Sequence, residues 1–421
     1  MRAVTSTDES TELELEVGNI AGGGGCVARD PEGRVVFVRH SLPGERVKVR
    51  ITSTTTSYRR ADAIEILDPS PDRVDPPCPH AGPGRCGGCD FQHVSLAAQR
   101  RLKAFRIAEQ LERVAGVTRS VEVEPVAGDT EGLGWRSRIR LAADAEGRVG
   151  FRRHRSHDLE YVTECPIAHP AVIATGALEV AWPKVEELEV IVSPGGTDAL
   201  VSLDTTRKVK LVLPSVQAGV VAHGSVLRQP GAIHTMVDGI TFRITAGVFW
   251  QVHVGAAAAL SDAVQTALDA QPGDAAVDLY AGAGLFSVQL ARQVGRKGSV
   301  LAVERDLRAC GDAEHNGKGL KQLRVKKASV SPKVIEQGIG RPALLVLDPA
   351  REGAGKAVMH ALAGHAATLR RRVYVSCDAG SFSRDCRVLL DQGWTLESLR
   401  AFDIFPMTEH VELVGRLSPP T

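Results

Sequence analysis

The sequence predicts an α/β protein: a doubly wound sheet in the last third, preceded by a mostly β central domain and a small N-terminal β-barrel. Three observations carry this. From Ala256 onward the apolar pattern alternates between helix and strand: helix over Ala257 to Leu268, strand over Ala275 to Leu279, helix over Leu285 to Gln293, strand over Val300 to Glu304. That is the βαβ rhythm of a doubly wound sheet. Four later segments, ending at Gly284, Pro349, Cys377 and Glu412, each read as a buried strand end opening into a polar loop. Such ends line the ligand crevice of an open parallel sheet. Near the start, Arg34 to Arg39 and Arg46 to Ile51 are short alternating runs between Gly-rich or Pro-Gly turns, which suits a small barrel.

A chain of 421 residues exceeds the size at which single cores stop growing, so two or three domains are expected. The first spans 1–68. Its Gly22 to Gly25 run reads as a flexible turn, since no helix signal follows to make a phosphate loop. Residues 69–95 form a linker and cysteine segment, opened by four prolines between Asp68 and Pro77. The central domain, 96–248, begins with a helix over 96–118 that is free to pack on the last domain. Short strands follow, among them Trp135 to Leu141 and Leu211 to Leu213. The last domain is 249–421.

The formal charge is only +1, yet it is unevenly placed. Arg34 to Arg60 holds seven basic residues against Glu45, and Arg136 to Arg155 holds seven against Asp144 and Glu146. An acidic first segment, with Asp8, Glu9, Glu12, Glu14 and Glu16, offsets them. The basic stretches are either phosphate-binding faces or solvated surface. The N-terminus has no apolar core for a secretory signal, and no apolar run approaches membrane-spanning length, so the default is a cytoplasmic protein with no membrane partner. No obligate protein partner is evident. Its eight cysteines then read as metal or catalytic residues before disulfides.

Asp278, Tyr280, Gly282 and Gly284 leave a strand and enter a helix, so backbone can approach a ligand closely at the helix N-terminus. Glu304 ends the next strand, where a carboxylate can accept both ribose hydroxyls. A second phosphate-coordinating glycine is missing and an acid opens the loop. S-adenosylmethionine therefore fits better than a dinucleotide; a nucleotide site and a structural glycine turn are the alternatives. Lys326 to Ser329 offers no acid for an adenine amine. Cys78, Cys86 and Cys89 followed by a lone Cys165 before proline favour a 4Fe-4S cluster over zinc, with reduced packing cysteines as the plain alternative. Cys26, Cys310 and Cys386 read as ordinary buried thiols.

Together these motifs resemble the uracil-C5 RNA methyltransferases, in the branch with a TRAM domain and a 4Fe-4S cluster that methylates 23S ribosomal RNA. Phe249-Trp-Gln251-Val-His253 is similar to F-x-Q-V-N, Asp348-Pro-Ala-Arg351 to D-P-x-R, Tyr374-Val-Ser-Cys377 to Y-V-S-C, and Phe405 to Glu412 to F-P-x-T-x-H-x-E. The resemblance covers nearly the whole chain and implies a Rossmann-like S-adenosylmethionine-dependent domain behind an OB-like TRAM barrel. Three residues depart from the pattern: Asp378 and Ala379 replace Asn and Pro after the cysteine, and His253 replaces Asn. The first spacing among the cysteines is also longer by two residues.

The resemblance implies that Cys377 adds to uracil C6 and that Glu412 later removes the C5 proton. It implies that Asp348 holds the uracil edge, that Gln251 touches cofactor or base, that Phe249 stacks on an unpaired base, and that Cys78, Cys86, Cys89 and Cys165 hold the cluster. His410 reads as an orienting group. Arg136 and Arg138 are candidates for RNA backbone contacts. Ribosomal RNA is favoured over the tRNA T-loop as substrate. A non-catalytic RNA-binding or folding factor and an iron-sulfur redox protein are the readings from other classes.

Overall fold

The computed structural model describes residues 11–420 except 194, 196, 197, 206–210 and 366, so Asp8 and Glu9 lie outside the described residues. The first sheet holds strands Glu12–Glu16, Cys26–Arg29, Val35–Arg39, Arg46–Thr54 and Tyr58–Asp68, ordered first, fourth, fifth, third, second. It curls shut where the Gly18 N–H donates to the Val27 carbonyl at 2.7 Å and the Val27 N–H to Asn19 at 3.0 Å. Period-two alternation turns Val36, Val38, Val47, Val49, Ala61 and Ala63 into its core.

The central sheet runs Ser225–Arg228, Gly219–Ala222, Ala199–Asp204, Glu187–Val192, Arg138–Ala143, Val149–Arg152, Leu159–Tyr161. Leu211 to Leu213, expected as a strand, forms none: both leucines rest on the central core without joining a ladder, because the strand Ala199–Asp204 is already paired on both sides. The hairpin Ala232–Val237 and Ile240–Thr245 sends Ile233, Phe242 and Ile244 into the same core as Leu260, Val264 and Val288 of the last domain.

The third sheet has eight strands: Leu323–Lys327, Ser299–Glu304, Ala275–Leu279, Leu344–Leu347, Arg371–Ser376, Glu412–Ser418, Thr395–Asp403 and Val123–Pro125. The first five are parallel, as the intervening helices require. Helices Ala256–Leu268 and Leu285–Val294 cover one face, packing on Ala276, Val346 and Val373. Helices Pro332–Gly338, Lys356–Ala363 and Ala379–Leu390 cover the other, packing on Val277, Leu347 and Tyr374. Glu412 was expected at a strand's end but begins one. That strand runs antiparallel to Arg371–Ser376, so its start lies at the same rim as the parallel strands' ends.

Helix Leu96–Gln110 continues into a π-helical turn, Leu111–Ala115, closed by Gly116 at φ 71°. Ile107 and Leu111 enter the second face's core. Lys103, almost fully buried, donates to Asp403 Oδ1 at 2.6 Å and to the Phe405 carbonyl at 3.0 Å. Among the described residues no helix is long and apolar enough to cross a membrane.

Candidate active site

The carboxyl of Asp278 is fully buried; the Ser287 hydroxyl donates to its Oδ2, and its Oδ1 has no hydrogen-bond partner. Burial pushes its pKa up to about 7. The chain then passes through positive φ at Tyr280 (64°), Gly282 (53°) and Gly284 (91°). A side chain on Gly284 would press on Ala313 at 3.3 Å, so the glycine lets helix Leu307–Asn316 approach. Glu304 stands against this loop: its Oε2 accepts the Gly282 N–H at 3.0 Å, and its Oε1 accepts those of Arg305 and Asp306 at 2.6 and 2.8 Å. Gln251 is buried.

Three acidic side chains, Asp348, Asp378 and Glu412, converge near Cys377. Asp348, one residue past the strand Leu344–Leu347, is pushed up to about 7 by burial and by the charge of Asp278. Glu412, 4 % exposed, is raised well above the carboxylate range by burial and then by Asp348. Burial, Glu412 and Asp348 together push the Cys377 thiol up to about 12, while Arg351 acts in the opposite sense. Cys377 opens on a cleft of about 240 Å³, bounded by Gly22 and Gly23 of the barrel, Arg106 and Gln110 of helix Leu96–Gln110, and His410. His410 is held neutral, near 4, by burial and by the cations of Arg351 and Lys103.

The residues that depart from the expected pattern keep local structure intact. Asp378 is the N-cap of helix Ala379–Leu390, its Oδ1 accepting the Ser381 N–H at 2.7 Å, as an asparagine would. Ala379 takes the first helical position, where proline is favoured but not required. His253 does not reach the cleft. Its ring stacks on Trp135 at 5.6 Å, its Nδ1 accepts the Gly255 N–H at 3.0 Å, and burial lowers its pKa.

Phe249 is 64 % exposed, free to meet a ligand. Arg136 lies 6.0 Å from the Trp135 ring centroid and donates to the Arg138 carbonyl. Arg138 is committed elsewhere: it pairs with Glu189 at 3.5 Å and donates to the Val248 carbonyl at 2.9 Å, with 11 % of its side chain exposed. Sequence reasoning missed Glu409, whose Oε2 accepts the Gly23 and Gly24 N–H groups at 2.5 and 2.9 Å. Only the glycine run on the other side of that contact gave a signal.

An RNA methyltransferase of Streptomyces avermitilis is 44% identical over 97% of this chain and 98% of its own length. The 23S rRNA (uracil(1939)-C(5))-methyltransferase RlmD of Psychrobacter arcticus is 31% identical over 92% of this chain and 84% of its own. The chain belongs to the RNA uracil-C5 methyltransferase family. The TRAM domain model matches residues 9–64 of this methyltransferase, which bears out the expected N-terminal domain. The doubly wound fold is borne out as well. The tRNA (uracil-54, C5)-methyltransferase of Pyrococcus abyssi, solved with S-adenosyl-L-homocysteine, shares the fold at a TM-score of 0.73 and 21% identity, over 96% of this chain and all of its own.

The cysteines expected to hold an iron-sulfur cluster form no metal site in the structure. Among the described residues no group of three or more His, Cys, Asp or Glu side chains could hold a metal ion. All eight cysteines are free thiols. Burial raises the thiols of Cys78, Cys86, Cys89 and Cys165, Cys86 to about 11 and Cys89 to about 12, and Cys89 and Cys165 pack on the same cluster with Trp135. Their sulfurs accept hydrogen bonds: Cys86 from the Gly88 N–H and Cys89 from Gln92 Nε2, each at 3.4 Å. Cys78 accepts from the backbone of His80 and Ala81, and Cys165 from that of Ile167 and Ala168. Cys26 and Cys310 do the reverse, donating to carbonyl oxygens.

Proposed function

We propose that this methyltransferase moves the methyl group of S-adenosylmethionine to C5 of a uridine in 23S ribosomal RNA through a covalent Cys377–C6 adduct. The observation that carries the reading is the convergence of Glu412 and Asp348 on Cys377 at one sheet rim, where Cys377 lines a cleft. Uracil C5 is a weak nucleophile. When Cys377 Sγ bonds to C6, the thiol proton passes to Asp348, leaving Glu412 ionised, and the C5=C6 electrons move toward O4. C5 then takes the methyl group, whose bonding electrons stay on the donor's sulfur. Glu412 takes the C5 proton, the C6–S bond breaks, and the leaving thiolate takes back the proton held by Asp348. A raised carboxyl is a stronger base once ionised, which suits Glu412 to that step.

The orphaned Asp278 Oδ1, the open space at Gly282 and the Glu304 carboxylate fit a donor with a cationic amino acid end and a ribose diol. The uracil must leave its stack to meet Cys377, so an unpaired loop is the expected target, with Phe249 as a stacking partner. Ribosomal RNA is preferred to tRNA because a 31% identical relative bears that activity in its name. The test is nucleoside mass spectrometry after incubating the protein with methyl-labelled S-adenosylmethionine and, separately, ribosomal RNA and tRNA lacking the modification. Label in 5-methyluridine from ribosomal RNA supports the reading; label in tRNA alone moves the substrate, and none in either contradicts it.

We further infer that Cys78, Cys86, Cys89 and Cys165, although the structure does not gather them into a metal site, are the residues that would hold a 4Fe-4S cluster. Sulfurs that accept N–H hydrogen bonds suit thiolate ligands, whose negative charge such donors stabilise. A cluster there would cross-link the cysteine segment to the central domain. Iron and acid-labile sulfide in equal amounts after anaerobic purification support this; zinc or no metal contradicts it.

A further inference from the structure

The glycine run Gly22 to Gly25, expected as a flexible turn, is held at its tip. Gly23 and Gly24 stand at φ 88° and 70°, and both N–H groups donate to one acceptor, Glu409 Oε2, at 2.5 and 2.9 Å. A Cβ on Gly24 would come within 2.6 Å of Asp90 Cβ, so the missing side chain lets the turn lie against the cysteine segment. Asp90 faces the barrel and the sheet rim together: its Oδ1 lies 3.7 Å from Arg39, and its Oδ2 accepts the Glu409 N–H at 3.4 Å. The N–H groups of Asp90 and Phe91 both donate to the Met407 carbonyl, at 3.0 and 2.9 Å, which fixes the run that carries Glu409.

This contact stands at the reaction site. Gly22, Gly23 and Glu409 line the cleft onto which Cys377 opens. Glu409 Oε1 lies 3.9 Å from Arg351 Nη2, and Arg351 Nε lies 3.8 Å from Oδ2 of Asp378, the residue after Cys377. One carboxylate therefore reaches from the barrel's turn to the cation beside the cysteine. Charge-assisted bonds to a carboxylate are about twice as strong as neutral ones, which suits a turn of glycines with much backbone freedom to restrain. The barrel itself is anchored without Glu409: Ile20 and Leu42 share an apolar cluster with Phe91, Val94 and Ala98, and Arg73 pairs with Glu45 at 2.6 Å. Those contacts set where the barrel sits, and Glu409 sets where its turn sits.

We propose that Glu409 is a positioning residue for methyl transfer, fastening the barrel's glycine turn as one wall of the cleft at Cys377 and holding Arg351 beside it. The barrel then forms part of the reaction site. The inference rests on Cys377 as the nucleophile of the proposed reaction.

The test uses the full chain as wild type, Glu409→Ala and Glu409→Gln, in two measurements. In the first, iodoacetamide alkylation at fixed pH is followed by peptide mass spectrometry. Glu409→Ala opens the wall and takes a carboxylate away from Arg351, so Cys377 should react several-fold faster, while the buried Cys26 and Cys386 stay unmodified. In the second, kcat for methyl transfer to ribosomal RNA should fall about tenfold, since a displaced wall no longer holds the base at the nucleophile. KM for S-adenosylmethionine should hold, because Asp278 and Glu304 lie outside this cleft. Glu409→Gln keeps a carbonyl for the turn and should stay close to wild type in both. Unchanged alkylation of Cys377 or unchanged kcat in Glu409→Ala overturns the proposal. So does modification of Cys26 and Cys386 along with Cys377, which makes Glu409 a tie for the whole fold. If Cys377 alone becomes more reactive but wild type methylates neither ribosomal RNA nor tRNA, the wall stands and the catalytic reading fails.

Discussion

Cys377 and Glu412 extend one antiparallel ladder. Ser376 pairs with Leu413, so the next residue on each strand, Cys377 on one and Glu412 on the other, comes side by side at the rim of the sheet. The adjacency is a property of backbone register. The proposed nucleophile and a buried acid are held together by two strands of a packed core.

Among the described residues that act most strongly on Cys377, Arg351 is the cation that favours its ionised form, against Glu412, Asp348 and Asp378. It also lies 3.8 Å from Asp378 and 3.9 Å from Glu409. Removing it in Arg351→Ala moves the thiol's ionisation further above about 12, leaving less thiolate at any working pH. Alkylation of Cys377 by iodoacetamide at fixed alkaline pH, followed by peptide mass spectrometry, should slow several-fold. Faster alkylation contradicts the assignment.

Asp278 predicts a pH-dependent stability difference. Its folded pKa, about 7, lies above the ordinary 3.8, so the fold favours the protonated form. That contribution is fully present below about pH 4 and is lost as pH rises through 7. Asp278→Asn should match wild type near pH 4 and exceed it above pH 7 by about 1–4 kcal/mol in denaturant unfolding. A gap that closes as pH rises reverses the sign and rules out a raised carboxyl.

The Lys103–Asp403 pair fastens helix Leu96–Gln110 to the third sheet with both side chains almost wholly buried. Lys103→Met strands the carboxylate, with Arg100 at 3.9 Å as its remaining ion pair among the described residues. The expected cost is about 3–5 kcal/mol, most of it recovered in Lys103→Met/Asp403→Leu. Urea unfolding of the four members of that cycle decides it; an additive double variant contradicts a coupled pair.

The strand ends carrying Asp278, Asp348 and Cys377 were legible because each pairs an apolar run with a polar break, a local signal. What the sequence hid depends on contacts far apart in the chain. Lys103 reads as one more basic residue on a helix, and only the return of the chain at Asp403 buries it. Arg138 reads as a phosphate contact until Glu189, on the neighbouring strand, neutralises it. His253 stands in the sequence where the resembled motif has asparagine, yet Trp135 draws its ring into packing. Val123–Pro125 is too short to announce a strand, and it joins the third sheet through Thr395–Asp403.

The covalent scheme is tested most directly by Glu412→Gln. Glutamine keeps the shape of the protonated acid but cannot take the C5 proton. Incubated with S-adenosylmethionine and unmodified ribosomal RNA, this variant should accumulate a protein–RNA adduct that survives denaturing electrophoresis and maps to Cys377, with the methyl group already transferred. Loss of methyl transfer with no adduct on the gel contradicts the assignment of Glu412 as the base that releases the product.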